Sequence, residues 1–201
     1  VANEYADLAT LRAQLSMQVS DTSRDALLSQ ALSTASRSID RTTGRRFYLD
    51  AVAQQRIYNP YRRVLSEEQG EVLLTDDIGS AAGLVVETGS GSTYTAVTGY
   101  ETIPDNALLD GQPITGLLRP RGIWTWRCSS ITRVRITARW GWPAVPAEVV
   151  QATLIQANRL FKRKDSPEGI IGSAEWGVRN LSRRDPDVYA LIENLIRPGF
   201  G

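Results

Sequence analysis

The chain has no histidine, a single cysteine (Cys128) and only two lysines, Lys162 and Lys164, among its 201 residues. Without a second thiol or any imidazole, an internal disulfide and a zinc site built from Cys and His are excluded. The Ser-His-Asp and Cys-His nucleophile systems lack their base. No run approaches the roughly 20 apolar residues that cross a bilayer, and no basic patch leads into an apolar stretch at the N-terminus. The expectation is a cytosolic chain without a sorting signal or membrane partner. These absences close most routes to catalysis and predict a protein that is not an enzyme, with no catalytic residues, cofactor or metal. Subtracting the 2 lysines from 23 basic residues leaves 21 arginines, a bias that a GC-rich genome explains as readily as a function.

What is present is a globular composition, 42% hydrophobic and 22% charged, in a length that suits one domain or two small ones. The net charge of +1 conceals a segregation. Ser66 to Asp110 holds nine acids, Asp76 and Asp77 among them, and no base; Gly111 to Lys164 holds ten bases against Glu148 alone. Two adjoining segments of opposite charge either neutralise one another as neighbouring strands or present differently charged faces to different partners.

Leu8, Leu11 and Leu15 recur at helical spacing and predict a first helix over Asp7 to Leu15. Thr22 and Asp25 have the spacing of a capping box for a second helix, whose stripe of Leu28, Leu32, Ala35 and Ile39 runs toward Thr43. Gly44 is placed to cap it in the left-handed conformation. The period then changes. Gln54 to Tyr58, Glu71 to Leu74, Gly83 to Thr88, Tyr94 to Thr98 and Arg133 to Trp140 read as strands, with Thr88 to Thr93 a hairpin loop. That loop is rich in glycine, yet no Lys-Ser or Lys-Thr follows, so it is not a phosphate loop. In the last strand Arg133, Arg135 and Arg139 share one face and Val134, Ile136 and Ala138 the other.

Trp140-Gly141-Trp142-Pro143 closes the β region. Pro146 suits the first position of a third helix, with Val149, Val150, Leu154, Ala157, Leu160 and Phe161 as its inner stripe and Asp165-Ser166-Pro167 as its stop. Basic residues in its last turns suit the helix dipole without a ligand. Glu168 to Arg184, rich in Gly and Ser around Trp176, is a candidate binding loop. Asp185-Pro186 then starts a fourth helix whose inner residues are Val188, Leu191, Ile192 and Leu195, ended by Pro198-Gly199. Five tryptophans suit core or sheet-edge positions, and Trp176 is the interface candidate. The expected fold class is α+β: a small helical bundle built from N- and C-terminal helices (1–46 and 143–201) with an inserted antiparallel β module (47–142).

Ala31 to Tyr48, Ala138 to Leu160 around Trp-Gly-Trp-Pro-Ala-Val-Pro, and Phe161 to Gly169 (Phe-Lys-Arg-Lys-Asp-Ser-Pro-Glu-Gly) occur in this order over nearly the whole chain. With them the sequence resembles the head-tail adaptor (connector, head-completion) proteins of long-tailed double-stranded DNA bacteriophages and gene transfer agents. The resemblance implies a structural virion protein of the neck, made and assembled in the cytoplasm of a bacterial host. It implies a homo-dodecameric ring beneath the portal protein ring, extending the DNA channel without sequence recognition and docking a stopper or tail-completion protein. The family's C-terminal reach toward the portal maps onto Arg179 to Gly201 and makes Arg179, Arg183, Arg184, Arg197 and Phe200 candidate portal contacts. A ring needs two different complementary surfaces, for which Arg133, Arg135, Arg139, Trp176, Asp76 and Asp77 are candidate subunit contacts, within the chain or across the ring. Acids of the β module facing the channel would keep DNA sliding. The β module is longer than the minimal family pattern.

Three other readings compete. A stopper or tail-completion protein would occupy the same junction. A nucleic-acid-binding module would use Arg133, Arg135, Arg139 and the basic end of the third helix, against a nearly neutral net charge. A carboxylate hydrolase would need Asp76 with Asp77 or Glu67 with Glu68, yet adjacent strand residues point to opposite faces.

Overall fold

The structure is a computed structural model that describes residues 3–18, 21–124, 132–163, 170–171, 179–180 and 185–197. The fold is α+β, and the chain divides into two compact units, one of Val1–Arg45 with Val145–Gly201 and one of Arg46–Ala144.

In the first unit, α1 (Leu8–Gln14), α2 (Asp25–Thr43) and α3 (Ala147–Lys162) pack around Leu11, Leu28, Leu32, Ala35, Leu154, Ala157 and Phe161, and α4 (Pro186–Ile192) lies against α3 with Val188 and Ile192 buried. Val150 and Leu160 lie half-buried beside that cluster. Asp7 caps α1 by accepting from the Thr10 amide at 2.7 Å. Gly44 ends α2 at φ +68°, its amide returning to the Asp40 carbonyl at 2.8 Å. The predicted capping box at Thr22 and Asp25 is absent. Arg24 occupies the N-cap position without a side-chain bond, because Asp25 is drawn instead into an ion pair with Arg12. Pro146 is the N-cap of α3 rather than its first helical residue. Asp185 caps α4 through the Asp187 amide at 3.0 Å, with Pro186 at the first position. After α4 the chain returns to α2, the Arg197 amide donating to the Thr43 carbonyl at 2.8 Å. A two-residue ribbon joins β8 (Ile170–Ile171) to β9 (Arg179–Asn180). The predicted ends at Asp165-Ser166-Pro167 and Pro198-Gly199 lie outside the described residues.

The second unit is a seven-stranded antiparallel sheet of β1 (Gln54–Tyr58), β2 (Val64–Glu67), β3 (Gly70–Ser90), β4 (Thr93–Ala96), β5 (Glu101–Ile103), β6 (Ile114–Pro120) and β7 (Arg133–Trp140). Its path runs β1-β7-β3-β6-β5, with β2 and β4 also on β3. The two strands expected at Glu71 to Leu74 and Gly83 to Thr88 are one strand of 21 residues. Its first part lies between β2 and β6 and its last part between β4 and β7, with register shifts between Leu74 and Val85. Bulges bend a strand while keeping it in its ladders, so Leu73 and Leu117 from one half share a core with Val86, Val134, Ile136 and Trp140 from the other. Strand β7 alternates as expected, Val134, Ile136, Ala138 and Trp140 buried and the residues between them half-buried. Strands β2, β5 and β6 were not legible as strands, and the hairpin loop shrinks to Gly91-Ser92 because β3 continues to Ser90.

The Trp-Gly-Trp sequence closes this unit. Trp140 donates its indole N–H to the Gln54 carbonyl at 2.7 Å, and Trp142 donates to the Asp77 carboxylate at 3.1 Å while its ring meets Phe47 at 5.1 Å. Gly141 between them, at φ +110°, donates to the Asp77 carbonyl. A Cβ there would stand 1.8 Å from the Tyr48 carbonyl oxygen, so only glycine admits this approach.

Candidate functional site

The arginines of β7 are engaged inside the chain. Arg135 sits opposite Glu87 on β3 and grips it with two bonds of 2.6 and 2.8 Å, its guanidinium 4.1 Å over the Tyr94 ring. Hydrogen bonding to Arg135 holds the Glu87 carboxyl below its ordinary 4.5. Arg139 donates from Nε to the Asp50 carbonyl at 2.9 Å, tying β7 to the start of the unit, and Arg133 donates to the Thr132 carbonyl. The acidic segment thus meets Arg135 within the subunit.

The paired aspartates diverge. Asp77 is 5% exposed and turned to Trp142. Asp76 faces the other way and collects Arg56 at 2.7 Å, Arg63 at 3.7 Å and the Tyr58 hydroxyl at 3.0 Å. Burial, and then the Asp76 charge, push the Tyr58 phenol above its ordinary 10, so it remains a donor. The two carboxylates thus turn to different partners, as neighbouring strand residues do, rather than converging as an acid-base pair.

Of the proposed portal contacts, Arg197 lies where the chain returns to Thr43, and Arg179 is described only as backbone of β9. Arg183, Arg184, Phe200 and the loop residue Trp176 lie outside the described residues. Trp124, Trp140 and Trp142 are buried. Trp124 bridges the two charged segments, its amide donating to Glu71 at 2.6 Å and its indole to the Leu117 carbonyl at 2.9 Å.

The Asp76 cluster floors an open groove that the sequence reading passed over. It is lined by Arg56, Tyr58, Asn59, Tyr61, Arg62 and Arg63 and encloses ≈ 550 Å³. Arg56 stacks 4.4 Å over Trp140 and Arg63 5.1 Å over Tyr58. Asn59 caps the turn Pro60–Arg62 by accepting from the Tyr61 amide at 3.2 Å. This holds Tyr61 outward at 79% exposure, next to Arg62. The signal available in sequence was three arginines and two tyrosines within Arg56-Ile57-Tyr58-Asn59-Pro60-Tyr61-Arg62-Arg63. Chemically the groove offers cations and aromatic faces to an acidic partner.

Among the described residues no cluster of three or more carboxylates or thiols is placed to hold a metal ion, and no helix is long and apolar enough to cross a membrane. No protein-family model matches the chain, and neither does any curated protein. Solved structures do resemble it. One is a chain of the virion of a native gene transfer agent particle, at 19% identity and TM-score 0.57, covering 100% of this chain and 95% of that one. Another is a chain from the neck of an empty gene transfer agent particle computed with C6 symmetry, at 18% identity and TM-score 0.55, covering 96% and 91%. The likeness is one of fold, and it extends over both units.

Proposed function

We propose that this protein is a structural component of a virion neck, a head-tail adaptor that forms a ring beneath the portal, extends the DNA channel and docks the stopper or tail. The observation that carries the reading is the end-to-end fold likeness to chains of gene transfer agent particles, one of them from a neck. Helical unit and inserted β unit are matched together, which a chance likeness of one common motif does not produce. Fold alone does not select a neighbour, so the finer assignments rest on the sequence resemblance. In this reading twelve copies surround the channel, and the segment from Arg179 to Phe200, with Arg183, Arg184 and Arg197, reaches the portal.

The test is to purify particles from a host that carries the gene, identify the chain by mass spectrometry, and image the neck by cryo-electron microscopy. Twelve copies directly below the portal are the expected result. Absence of the chain from particles that contain a complete neck overturns the reading, and density on the tail side of another ring reassigns it as a stopper.

A further inference from the structure

The two ends of the sheet path carry opposite charge, one at a groove and the other at a projecting loop. At the β1 end lies the groove of Arg56, Tyr58, Tyr61, Arg62 and Arg63. Three arginines against Asp76 leave it at +2. Arg56 and Arg63 are committed to Asp76, whereas Arg62 is exposed and pairs with no acid among the described residues. Ile57, 55% exposed, borders it on an edge strand paired on one side only.

At the β5 end the loop between β5 and β6, Pro104 to Pro113, carries Asp105 and Asp110 and no base, a charge of −2. This loop is held in shape. Leu109 and Asp110 amides both return to the Asn106 carbonyl, at 2.8 and 3.1 Å, and Gln112 returns to Ala107 at 2.7 Å. Ala107 is buried and Leu108 packs on the core. The result is a rigid knob that projects Leu109, 86% exposed, beside the Asp110 carboxylate. A large apolar side chain at the tip of an ordered loop, flanked by charge, has the form of an interface anchor, because little entropy remains to be lost on docking.

We propose that the Leu109 knob of one copy seats in the Arg56–Arg63 groove of the next, Asp110 and Asp105 meeting Arg62 and the groove arginines while Leu109 packs against Tyr61 and Ile57. Knob and groove are different surfaces of the same unit, so the contact is head-to-tail and repeats from copy to copy. The proposal deepens the neck reading and rests on it for the closure of the chain of copies into a ring; the pairwise contact stands on the charge and shape of the two surfaces.

The test uses the full chain with two surface variants. Tyr61→Ala/Arg62→Ala spoils only the groove, and Leu109→Arg/Asp110→Arg only the knob, which the remaining groove arginines then repel; circular dichroism confirms that both remain folded, with Tyr61→Ala and Leu109→Ala as milder versions. By analytical ultracentrifugation the wild type forms concentration-dependent multimers, and each variant alone is monomeric or at least tenfold weaker in association. Mixed, the two variants form a dimer and nothing larger, since only one intact knob and one intact groove remain. Multimers from either variant alone, larger species in the mixture, or a wild type that stays monomeric up to about 1 mM overturn the proposal. Salt-sensitive binding of a fluorescent single-stranded oligonucleotide that Arg62→Glu abolishes reassigns the groove to phosphate and also overturns it. The neck reading is tested separately: a chain present in particles whose knob and groove variants assemble normally loses the contact and keeps the role, and the mixed dimer without incorporation into particles does the reverse.

Discussion

Replacing Gly141 by alanine is the sharpest test of how the β unit is closed. The backbone there has φ +110°, and the new Cβ would lie 1.8 Å from the Tyr48 carbonyl oxygen, against ordinary contacts of roughly 3.5 Å. Neither side can yield alone. The Asp50 amide is bonded to the Trp140 carbonyl at 2.8 Å, and the Gly141 amide to Asp77 at 2.8 Å. Relieving the overlap breaks both bonds, at about 0.5–1.5 kcal/mol each, and the positive φ adds about 1–3 kcal/mol for a residue with a side chain. The expected loss is therefore about 2–6 kcal/mol, a large part of the 5–15 kcal/mol typical of a domain. Gly91→Ala is the control, since Gly91 also has positive φ (+59°) but no atom within 4 Å of the added Cβ; its cost is about 1 kcal/mol. Urea unfolding followed by tryptophan fluorescence reads the β unit, which contains four of the five tryptophans. Equal losses for the two variants would refute the reasoning.

Asp185→Ala removes the cap of α4 and should cost about 1 kcal/mol locally, raising hydrogen exchange at the Tyr189 amide several-fold with the β unit unaffected. Leu32→Ala, at a fully buried position between α2 and its neighbours, should lower stability by about 2–5 kcal/mol in a thermal melt read by far-ultraviolet circular dichroism. The Glu87 carboxyl, depressed by Arg135, contributes stability that is present above pH 4.5 and fades as the pH falls through its lowered folded value. Carboxyl-carbon NMR should find Glu87 titrating below 4.5 and returning toward it in Arg135→Gln; an unchanged titration would remove Arg135 as the cause.

Local signals read from sequence survive where one interaction decides the outcome. Gly44, Asp185-Pro186 and the alternation of β7 depend on a single residue's conformational freedom, one cap or one periodicity. The continuous β3 was illegible because Asp76 to Ser80 has no strand composition; it is held extended by partners on either side that come from distant parts of the chain. The Thr22 box failed for a related reason, a remote arginine outbidding a local amide for Asp25. The groove escaped notice because its charge lies outside the large acidic and basic blocks, and because Arg56 and Arg63 acquire their meaning only when Asp76 arrives between them.

The bond from Asp50 to Trp140 joins points 90 residues apart, and this bears on the order in which the molecule comes together during synthesis. Until Asp50 and Trp140 are joined, α2 and α3 are the ends of a long open tether. Once the β unit shuts, the same two helices are separated by a short bridge. Shrinking a loop from about 90 residues to about 10 lowers the entropic cost of bringing its ends together by about 2 kcal/mol. The inserted module thus serves as a buckle: fastening it first converts a distant encounter between two helices into a nearby one.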